Sequence, residues 1–450
     1  MRWLVSDSVA GVFEELLSAD GVLVPSADEP WTVRGRTPDV VALPADEEQV
    51  AASLRIAHER GWPVVPAGAG RRVEAQAASR EGPLVVLSVT RLREVVHYEP
   101  ADLSLRAGAG LSLGELGESV RTEGQWLGLD PPGSPGRTLG GALAGCEHGP
   151  LHAGVGRPRD QVLGLVLVSG DGRVLRLGGD VVKNVAGFDL VKLVVGSRGS
   201  LGVITEASVR LHPLPEVDTT VIVPCSSVAG GLAALRAAAA VPHPLAALEL
   251  FTPPPSTALV PAAARALVAA RVMGTRRSAM RVLDSVRKAF SSHGEVIEPE
   301  GLMGGDLFRL AGGREENALI GIRVGALPSH AEAALGPILG YLGEAEAASE
   351  SREGSSRSWV HIHGTTGTLR FGMERGESDE GEPRDELERE TLSELGRALR
   401  REGASLRAVR IPASFEGVAA EWGASSGVQR IARQIERVFD PAGILVEASP

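Results

Sequence analysis

Three glycine-rich segments contain the residue types that hold an anion or a flat ligand against bare backbone. In the first, "PAGAGRR" at 66–72, Gly68 and Gly70 let successive backbone N–H groups point into one concavity, which is an anion-binding nest. Arg71 adds positive charge. The alternative is an ordinary connector with solvated arginines. The candidate binding residues of this segment are Pro66, Ala67, Gly68, Ala69, Gly70 and Arg71.

The second segment, "DPPGSPGRTLGGALAG" at 130–145, is rich in both proline and glycine. These residues fix the path of the chain before Thr138, whose hydroxyl can make a hydrogen bond. The small residues that follow leave room for a flat, wide group. The candidate binding residues here are Pro131, Thr138, Gly140, Gly141, Ala144 and Gly145.

In the third segment, "GSRGSLGVI" at 196–204, glycines recur at three-residue intervals just before a strand. From Val203 to Leu211 the side chains alternate between two faces of an extended chain. Bare backbone before the strand lets something planar lie against the strand edge. The alternative is that these glycines only shape a corner. The candidate binding residues are Gly202, Val203 and Ile204.

Two histidines stand close together in "VHIHGTTGTLRF" at 360–371. His361 and His363 alternate onto one strand face, where they could share one ion. We favour a plain strand with two partly exposed histidines, and we assign no metal site and no catalytic residue. His97, His148 and His152 lie near glycine-rich segments, but their spacing makes none of them a general base. The G-x-S-x-G nucleophile motif is absent.

The elements that position these segments follow an α+β pattern. A helix with the stripe Val50, Leu54 and Ala57 ends at Gly61, and short strands precede and follow the first glycine turn. A segment typical of a turn that enters a helix, "AGAGLSLGEL" at 107–116, has its third glycine one residue late for a dinucleotide fingerprint, so we reject a Rossmann site there. Residues 343–358 and 374–388 are predicted to be mobile loops.

Length and composition restrict the class of protein. At 450 residues the chain is long enough for two domains, and a net charge of −11 argues against a nucleic-acid binder. Its two cysteines are too few to ligate an iron–sulfur cluster or a structural zinc ion. No apolar run is long enough to span a bilayer, so we expect a cytoplasmic protein, with attachment to the inner membrane through its partners as the alternative.

Together the motifs resemble the vanillyl-alcohol-oxidase-type FAD proteins, which share the PCMH-type FAD-binding fold. The resemblance implies that the first loop cradles the FAD pyrophosphate, the second packs beside pyrophosphate and isoalloxazine, and the third closes over the flavin. With no histidine or cysteine in the first loop, we expect non-covalent FAD. The segments that carry the resemblance are "TPDVVALPADEEQVAASLRIAHERGWPVVPAGAG" (37–70), "TLGGALAG" (138–145), "KNVAGFDLVKLVVGSRGSLGVITEASVRLHPLP" (183–215) and "FDPAGIL" (439–445).

Within the family the sequence is most similar to FAD-binding subunits of glycolate oxidase-type complexes. This implies electron transfer in the oxidation of a small 2-hydroxy acid, with a second FAD-containing catalytic subunit and an iron–sulfur subunit as partners. The alternatives are a self-sufficient FAD-dependent 2-hydroxy-acid dehydrogenase and a flavin-free scaffold subunit. Arg71 departs from the family pattern, and so does "AGCE" at 144–147, which lacks the asparagine of the larger catalytic subunit.

The metal-binding signature of the catalytic relatives is incomplete in this chain. His363 matches its first histidine, but Arg370 stands in place of the second, and Thr366 and Thr368 replace the acidic residue and the asparagine. We expect an N-terminal arm at 1–33, a two-subdomain PCMH-type FAD-binding domain at 34–215 and an α+β cap domain at 216–450. The C-terminal helix is expected to return to the FAD module.

Overall fold

The computed structural model describes residues 8–26, 31–33, 36–71, 73, 82–133, 135–179, 188–255, 260–299, 305–326, 330, 333–341, 357–374, 386–411, 415, 417–418, 422 and 426–446. The two segments predicted to be mobile loops lie largely outside these residues, as does the start of the third family-like segment.

The strands are β1 (Val22–Leu23), β2 (Val40–Ala42), β3 (Val64–Ala67), β4 (Val85–Ser88), β5 (Val95–Glu99), β6 (Ser104–Gly108), β7 (Gln125–Leu127), β8 (Val162–Val168), β9 (Val174–Gly178), β10 (Val203–Pro213), β11 (Val217–Cys225), β12 (Ala247–Thr252), β13 (Ala266–Gly274), β14 (Ile320–Gly325), β15 (Arg357–His363), β16 (Thr368–Glu374) and β17 (Ser405–Arg410). The helices are α1 (Val9–Leu17), α2 (Glu47–Arg60), α3 (Leu113–Arg121), α4 (Leu139–Gly145), α5 (His152–Val155), α6 (Pro158–Gln161), α7 (Leu190–Val194), α8 (Val228–Ala239), α9 (Arg276–Phe290), α10 (Asp306–Asn317), α11 (Glu386–Arg401) and α12 (Ser426–Phe439).

The chain divides into two compact units. The first unit comprises 1–148, 157–214 and 424–449, and the second comprises 149–156, 215–423 and residue 450. The N-terminal residues 1–33, expected to form a separate arm, fall within the first unit. The sequence analysis did not anticipate that the short segment 149–156 would join the second unit.

The first unit contains a small sheet that presents the first glycine-rich segment. Its strand order is β1-β2-β4-β3, with β2 and β3 parallel to β4. Helix α2 connects β2 to β3, and Asp46 caps its N-terminus by accepting a hydrogen bond from the backbone N–H of Gln49. Gly61 ends the helix in the left-handed conformation, with φ of +65°. This crossover brings the end of β3 to the edge of the sheet.

The larger sheet of the first unit supports the second and third segments. Its order is β5-β6-β10-β8-β9, and β7 also pairs with β10. Strand β10 begins where the third segment ends. Its second face is more buried than simple alternation predicts, since Ile204 and Ser208 are buried as well as Val203 and Val209. Irregularities in the pairing with β8, between Ile204 and Glu206 and between Ser208 and Val209, break the regular alternation.

The second unit is built on one sheet of order β11-β13-β12-β15-β16-β14-β17. The pairs of strands within it are antiparallel. One face carries the aliphatic and aromatic residues that pack against α8 and α9, which contribute Leu235 and Leu283 to the same core. The other face carries a smaller apolar cluster and several polar side chains.

The C-terminal helix α12 lies in the first unit. Its apolar residues Val428, Ile431 and Val438 are 55%, 56% and 64% exposed, whereas Ile435 is half-buried and packs against the core of the first unit. At the end of the helix, Phe439 is buried and its carbonyl accepts a hydrogen bond from the N–H of Gly170 at 2.9 Å.

Candidate functional site

The first loop begins where β3 ends and presents backbone donors. The N–H of Val89 donates to the carbonyl of Ala67 at 3.0 Å, and the Ser88 hydroxyl donates to the carbonyl of Gly68 at 2.9 Å. These two bonds fix the carbonyl side of the loop. In the described part of the chain, the N–H groups of Gly68, Ala69 and Gly70 donate to no protein acceptor. Three successive donors of this kind suit an anion.

The second loop leads into the short helix α4, and its donors are already used. Thr138 is the N-cap, and its hydroxyl oxygen accepts a hydrogen bond from the N–H of Gly141 at 3.3 Å. The N–H groups of Leu139 and Gly140 donate to the carbonyls of Leu111 and Ala109. The N–H groups at the start of α4 are therefore already bonded within the protein, unlike those of the first loop.

Close approaches join the first two loops. A Cβ added to Gly68 would lie 2.1 Å from the Thr138 hydroxyl oxygen, so the loop passes directly over the helix cap. A Cβ added to Gly136 would lie 2.5 Å from Nη2 of Arg71, which places the guanidinium on the backbone of the second loop. Arg71 is exposed, but it is not merely a solvated side chain.

The third loop joins both of the others. The N–H groups of Gly196 and Arg198 donate to the carbonyls of Leu143 and Ala144 at 3.0 and 2.9 Å. A Cβ added to Gly199 would lie 2.9 Å from Pro66 in the first loop. The fold thus brings together three segments that lie at 66–72, 130–145 and 196–204 in the sequence.

The glycines of the third loop are explained by their own conformation. Gly196, Gly199 and Gly202 have φ values of +98°, +88° and +146°, a region that side chains disfavour. A Cβ on Gly202 would also lie 2.4 Å from the carbonyl oxygen of Val168. The corner-shaping alternative therefore accounts for these positions without a ligand. Val203 and Ile204, just beyond, are buried and paired with β8.

Among the second-loop positions, Gly141 differs from its neighbours. Gly140 needs to be small because an added Cβ would lie 2.8 Å from the Cβ of Ala109, and one on Gly145 would crowd the Glu147 side chain. At Gly141, among the described residues outside the helix's own backbone, the Thr138 hydroxyl oxygen at 2.9 Å is the one heavy atom within 4 Å of such a Cβ. Of these glycines, Gly141 has the most open space beside it. Pro131 is buried and Ala144 half-buried in the same segment.

A buried ion pair that the sequence analysis missed stabilises the second loop. Nη1 of Arg137 lies 2.8 Å from Oε2 of Glu147, and the two side chains are only 6% and 11% exposed. The same Nη1 lies 3.4 Å from the carbonyl of Pro132. The pair thus connects the segment before α4 to the segment after it. No pattern in the sequence identifies these two residues as partners, because they lie ten positions apart on either side of the short helix α4.

Cys146 and His148 are the residues near the second loop that could form a covalent flavin link. Cys146 is half-buried and has a left-handed φ of +46° as the C-cap of α4. Nδ1 of His148 lies 3.3 Å from the carbonyl of Cys146. Non-covalent binding stays a prediction.

The histidines of β15 differ from their expected environment. His361 and His363 were predicted to be partly exposed, but both are 3% exposed, as is Arg370. His363 pairs through Nδ1 with the carboxylate of Glu249, which lies directly opposite on β12. The sequence analysis weighed a metal site without a carboxylate because it could not know which strand would lie beside β15.

A third histidine joins this cluster within the second unit. Nε2 of His152 lies 3.1 Å from the Thr366 hydroxyl, and its ring contacts that of His363 edge-on at 5.0 Å. Nδ1 of His152 lies 2.7 Å from the carbonyl of Gly149 and is the donor there. No group of three histidine, cysteine or acidic residues suited to a metal ion occurs among the described residues.

Comparison with known proteins identifies the class of the first unit. Residues 38–178 match the family described as "FAD binding domain". The whole chain has the fold of a 4-ethylphenol oxidase from Gulosibacter chungangensis, with a TM-score of 0.71 and 18% identity over 96% of this chain and 94% of that one. The predicted α+β fold, a PCMH-type FAD-binding module followed by an α+β cap domain, is confirmed.

Part of the chain is also similar in sequence to two relatives of known activity. The chain is 32% identical over 185 residues to glycolate oxidase subunit GlcD of Bacillus subtilis, covering 41% of this chain and 39% of that protein. It is 35% identical over 187 residues to the D-lactate dehydrogenase of Archaeoglobus fulgidus, covering 41% of each. The chain thus matches about two fifths of the length of these relatives. The match of residues 38–178 to an FAD binding domain confirms the predicted cofactor, FAD.

No described helix of the protein is long and apolar enough to cross a membrane.

Proposed function

We propose that the chain is an FAD-dependent oxidoreductase and the FAD-binding subunit of a glycolate oxidase-like complex that oxidises a 2-hydroxy acid. The proposal rests on the convergence of the three glycine-rich loops within a region that matches the FAD binding domain family. Beside them, the N–H groups of Gly68, Ala69 and Gly70 donate to no acceptor among the described residues. Similarity to a glycolate oxidase subunit and to a D-lactate dehydrogenase supports the substrate class.

In this proposal, the residues of the first unit bind and orient the cofactor. The N–H groups of Gly68, Ala69 and Gly70 hold the negatively charged diphosphate, and the open side of Gly141 admits a flat group. Thr138 keeps its hydroxyl in the helix cap, so its contribution is to fix α4. When bound, FAD supplies the acceptor for two electrons and the protein supplies position and electrostatics.

The proposed partners are a second FAD-containing catalytic subunit and an iron–sulfur subunit. Two cysteines cannot hold an iron–sulfur cluster, so electrons that pass through such a cluster need another chain. The substitution of Arg370 for a metal-binding histidine supports a division of labour in which a partner carries the substrate chemistry.

A second candidate, the self-sufficient dehydrogenase, is favoured by one observation. The buried pair of Glu249 and His363 has the composition of a general base held by a carboxylate, beside the buried cation of Arg370. Such a pair could accept the proton of a substrate hydroxyl without a partner chain.

One experiment separates the two candidates. The purified flavoprotein is mixed anaerobically with glycolate and then with D-lactate, and the absorbance near the flavin maximum is followed. The subunit proposal expects no rapid bleaching by either acid until the proposed partners are added. Rapid bleaching of the isolated chain would instead establish the self-sufficient dehydrogenase. Purification of the tagged chain from its host, with iron and sulfide analysis, tests the partners independently.

A further inference from the structure

Helix α12 of the first unit carries an apolar strip that the protein covers only in part. Val428, Ile431, Ile435 and Val438 follow a three-four-three spacing, which places all four on one face of the helix. Ile435 is half-buried and packs against the core of the first unit. The other three are more than half exposed, so branched aliphatic side chains line a strip that contacts water.

The helix is held near its C-terminal end in a way that keeps the strip outward. The carbonyl of Val438 accepts a hydrogen bond from Nη2 of Arg173 at 2.8 Å. The next carbonyl, that of Phe439, accepts one from the N–H of Gly170 at 2.9 Å, and the Phe439 side chain is buried. A rotation of the helix that buried the exposed strip would break these bonds. The exposure therefore follows from how the fold holds the helix.

The charge of the helix differs from that of the chain as a whole. The helix carries three arginines and one glutamate, whereas the chain has a net charge of −11. Arg430 and Arg437 lie about two turns apart, on the same side of the apolar strip. Both are exposed, and neither forms a salt bridge with a residue that the structure describes. This side of the strip therefore attracts negative charge.

A narrow strip with this spacing fits another helix. Residues at the a and d positions of a heptad pack into the facing helix of a coiled coil, and branched aliphatic residues suit those positions. A helix that lies on a membrane uses Trp, Phe or Leu on its apolar face, and none of these is exposed on α12. Two copies of α12 packed antiparallel would bring their arginine sides together, which is unfavourable. The occupant that fits is a helix with acidic residues beside its apolar stripe.

We propose that α12 is a docking surface for an amphipathic helix of a different protein. The apolar stripe of that helix covers Val428, Ile431 and Val438, and its acidic residues pair with Arg430 and Arg437. Burial of the apolar strip drives the association, and the charges select the partner and its orientation. The proposal does not depend on the cofactor or on the substrate.

Site-specific photo-crosslinking in the host tests the proposal. p-Benzoylphenylalanine replaces Ile431 in the tagged chain, and in a control chain it replaces Met280, which is 46% exposed on α9 of the second unit. After illumination, the adducts are purified through the tag and the crosslinked peptides are sequenced by mass spectrometry. We expect the probe at Ile431 to yield a peptide of a different protein with an apolar stripe flanked by acidic residues. The probe at Met280 should not yield that peptide.

Charge reversal tests the part played by the two arginines. Arg430→Glu/Arg437→Glu should lower the yield of the adduct about tenfold, because like charges then face each other across the interface. The matched control Arg277→Glu/Arg281→Glu, at exposed arginines of α9, should leave the yield unchanged.

The affinity is then measured with a synthetic copy of the crosslinked peptide. The peptide is titrated into the purified holoprotein and followed by fluorescence anisotropy. Ile431→Glu should weaken its binding about tenfold or more, since it places a charge within the apolar strip. Met280→Glu should leave the binding unchanged.

The alternatives give different results. Crosslinking only to this chain itself, only to lipid, or to a peptide without acidic residues overturns the proposal, and so does the absence of an adduct. An adduct whose yield survives the charge reversal overturns the pairing with the arginines. Circular dichroism and FAD content establish that each variant is folded, and a wild-type protein without FAD would contradict only the proposed function.

Discussion

The buried ion pair between Arg137 and Glu147 should be a major contributor to the stability of the first unit. At the observed separation of 2.8 Å, two unit charges attract by about 6 kcal/mol at an effective dielectric constant of about 20. Most of that attraction offsets the cost of removing both groups from water. Removal of Glu147 is a different case, because the buried Arg137 guanidinium then loses the carboxylate that compensates its charge.

For Glu147→Ala we therefore expect a loss of about 3–5 kcal/mol in the free energy of unfolding. The remaining acceptor near Arg137 Nη1 in the described structure is the Pro132 carbonyl at 3.4 Å, which is too distant to replace a carboxylate. The double variant Arg137→Met/Glu147→Leu buries no charge and should lie within about 1–2 kcal/mol of the wild type. The free energies come from urea unfolding of the FAD-saturated protein, followed by circular dichroism and flavin fluorescence.

The double variant is also the control for lost side-chain volume. The double-mutant cycle is completed by the single variants Arg137→Met and Glu147→Leu. A coupling energy near zero in that cycle, or a loss below about 1 kcal/mol in Glu147→Ala, would show that the pair is too well solvated to act as described. A large loss in both single variants, recovered in the double variant, would confirm it.

The remaining predictions concern the cofactor and pH. Acid precipitation should release the yellow colour into the supernatant if FAD is non-covalent, and colour in the pellet would refute this. Gly141→Leu should abolish FAD binding in a folded protein, because the leucine fills the open side of α4. Gly202→Leu should instead prevent folding of the first unit, because Gly202 has a positive φ and lies close to the Val168 carbonyl. Flavin content and circular dichroism distinguish these two outcomes. Burial, with a smaller effect of Arg210, lowers the pKa of His212, which lies 2.9 Å from Gln161. The unfolded chain therefore binds this proton more readily than the folded chain does. The free energy of unfolding should fall as the pH decreases from about 6.5 toward the lower pKa of the folded state. His212→Gln should reduce that pH dependence in urea titrations at successive pH values.

Local signals in the sequence were sufficient for much of the first unit. The glycine after α2, the strands on either side of the first glycine turn and the turn that enters α3 depend on backbone preferences within a few residues, and the structure has them as predicted. The three glycine-rich loops stand out for the same reason, because glycine is visible in the sequence. That these loops bind FAD stays a prediction.

The missed features depend on which strands become neighbours. Glu249 and His363 are 114 residues apart, and only the pairing of β12 with β15 makes them partners. The exposure of Val428, Ile431 and Val438 on α12 could not be predicted from their helical spacing either. The periodicity of a helix identifies its apolar face but does not identify the residues that cover that face.

The pairing of the C-terminal segment with β3 affects when the cofactor can be loaded. The N–H of Val64 donates to the carbonyl of Ile444 at 2.8 Å, and the N–H of Val446 donates back to Val64 at 2.9 Å, so residues 444–446 cover the outer edge of the strand that leads into Gly68. On the ribosome, that edge stays open until residues 444–446 have been made. The nascent chain should therefore bind no FAD until residue 446 has left the exit tunnel. Arrested chains of increasing length, assayed for retained flavin, would locate that step.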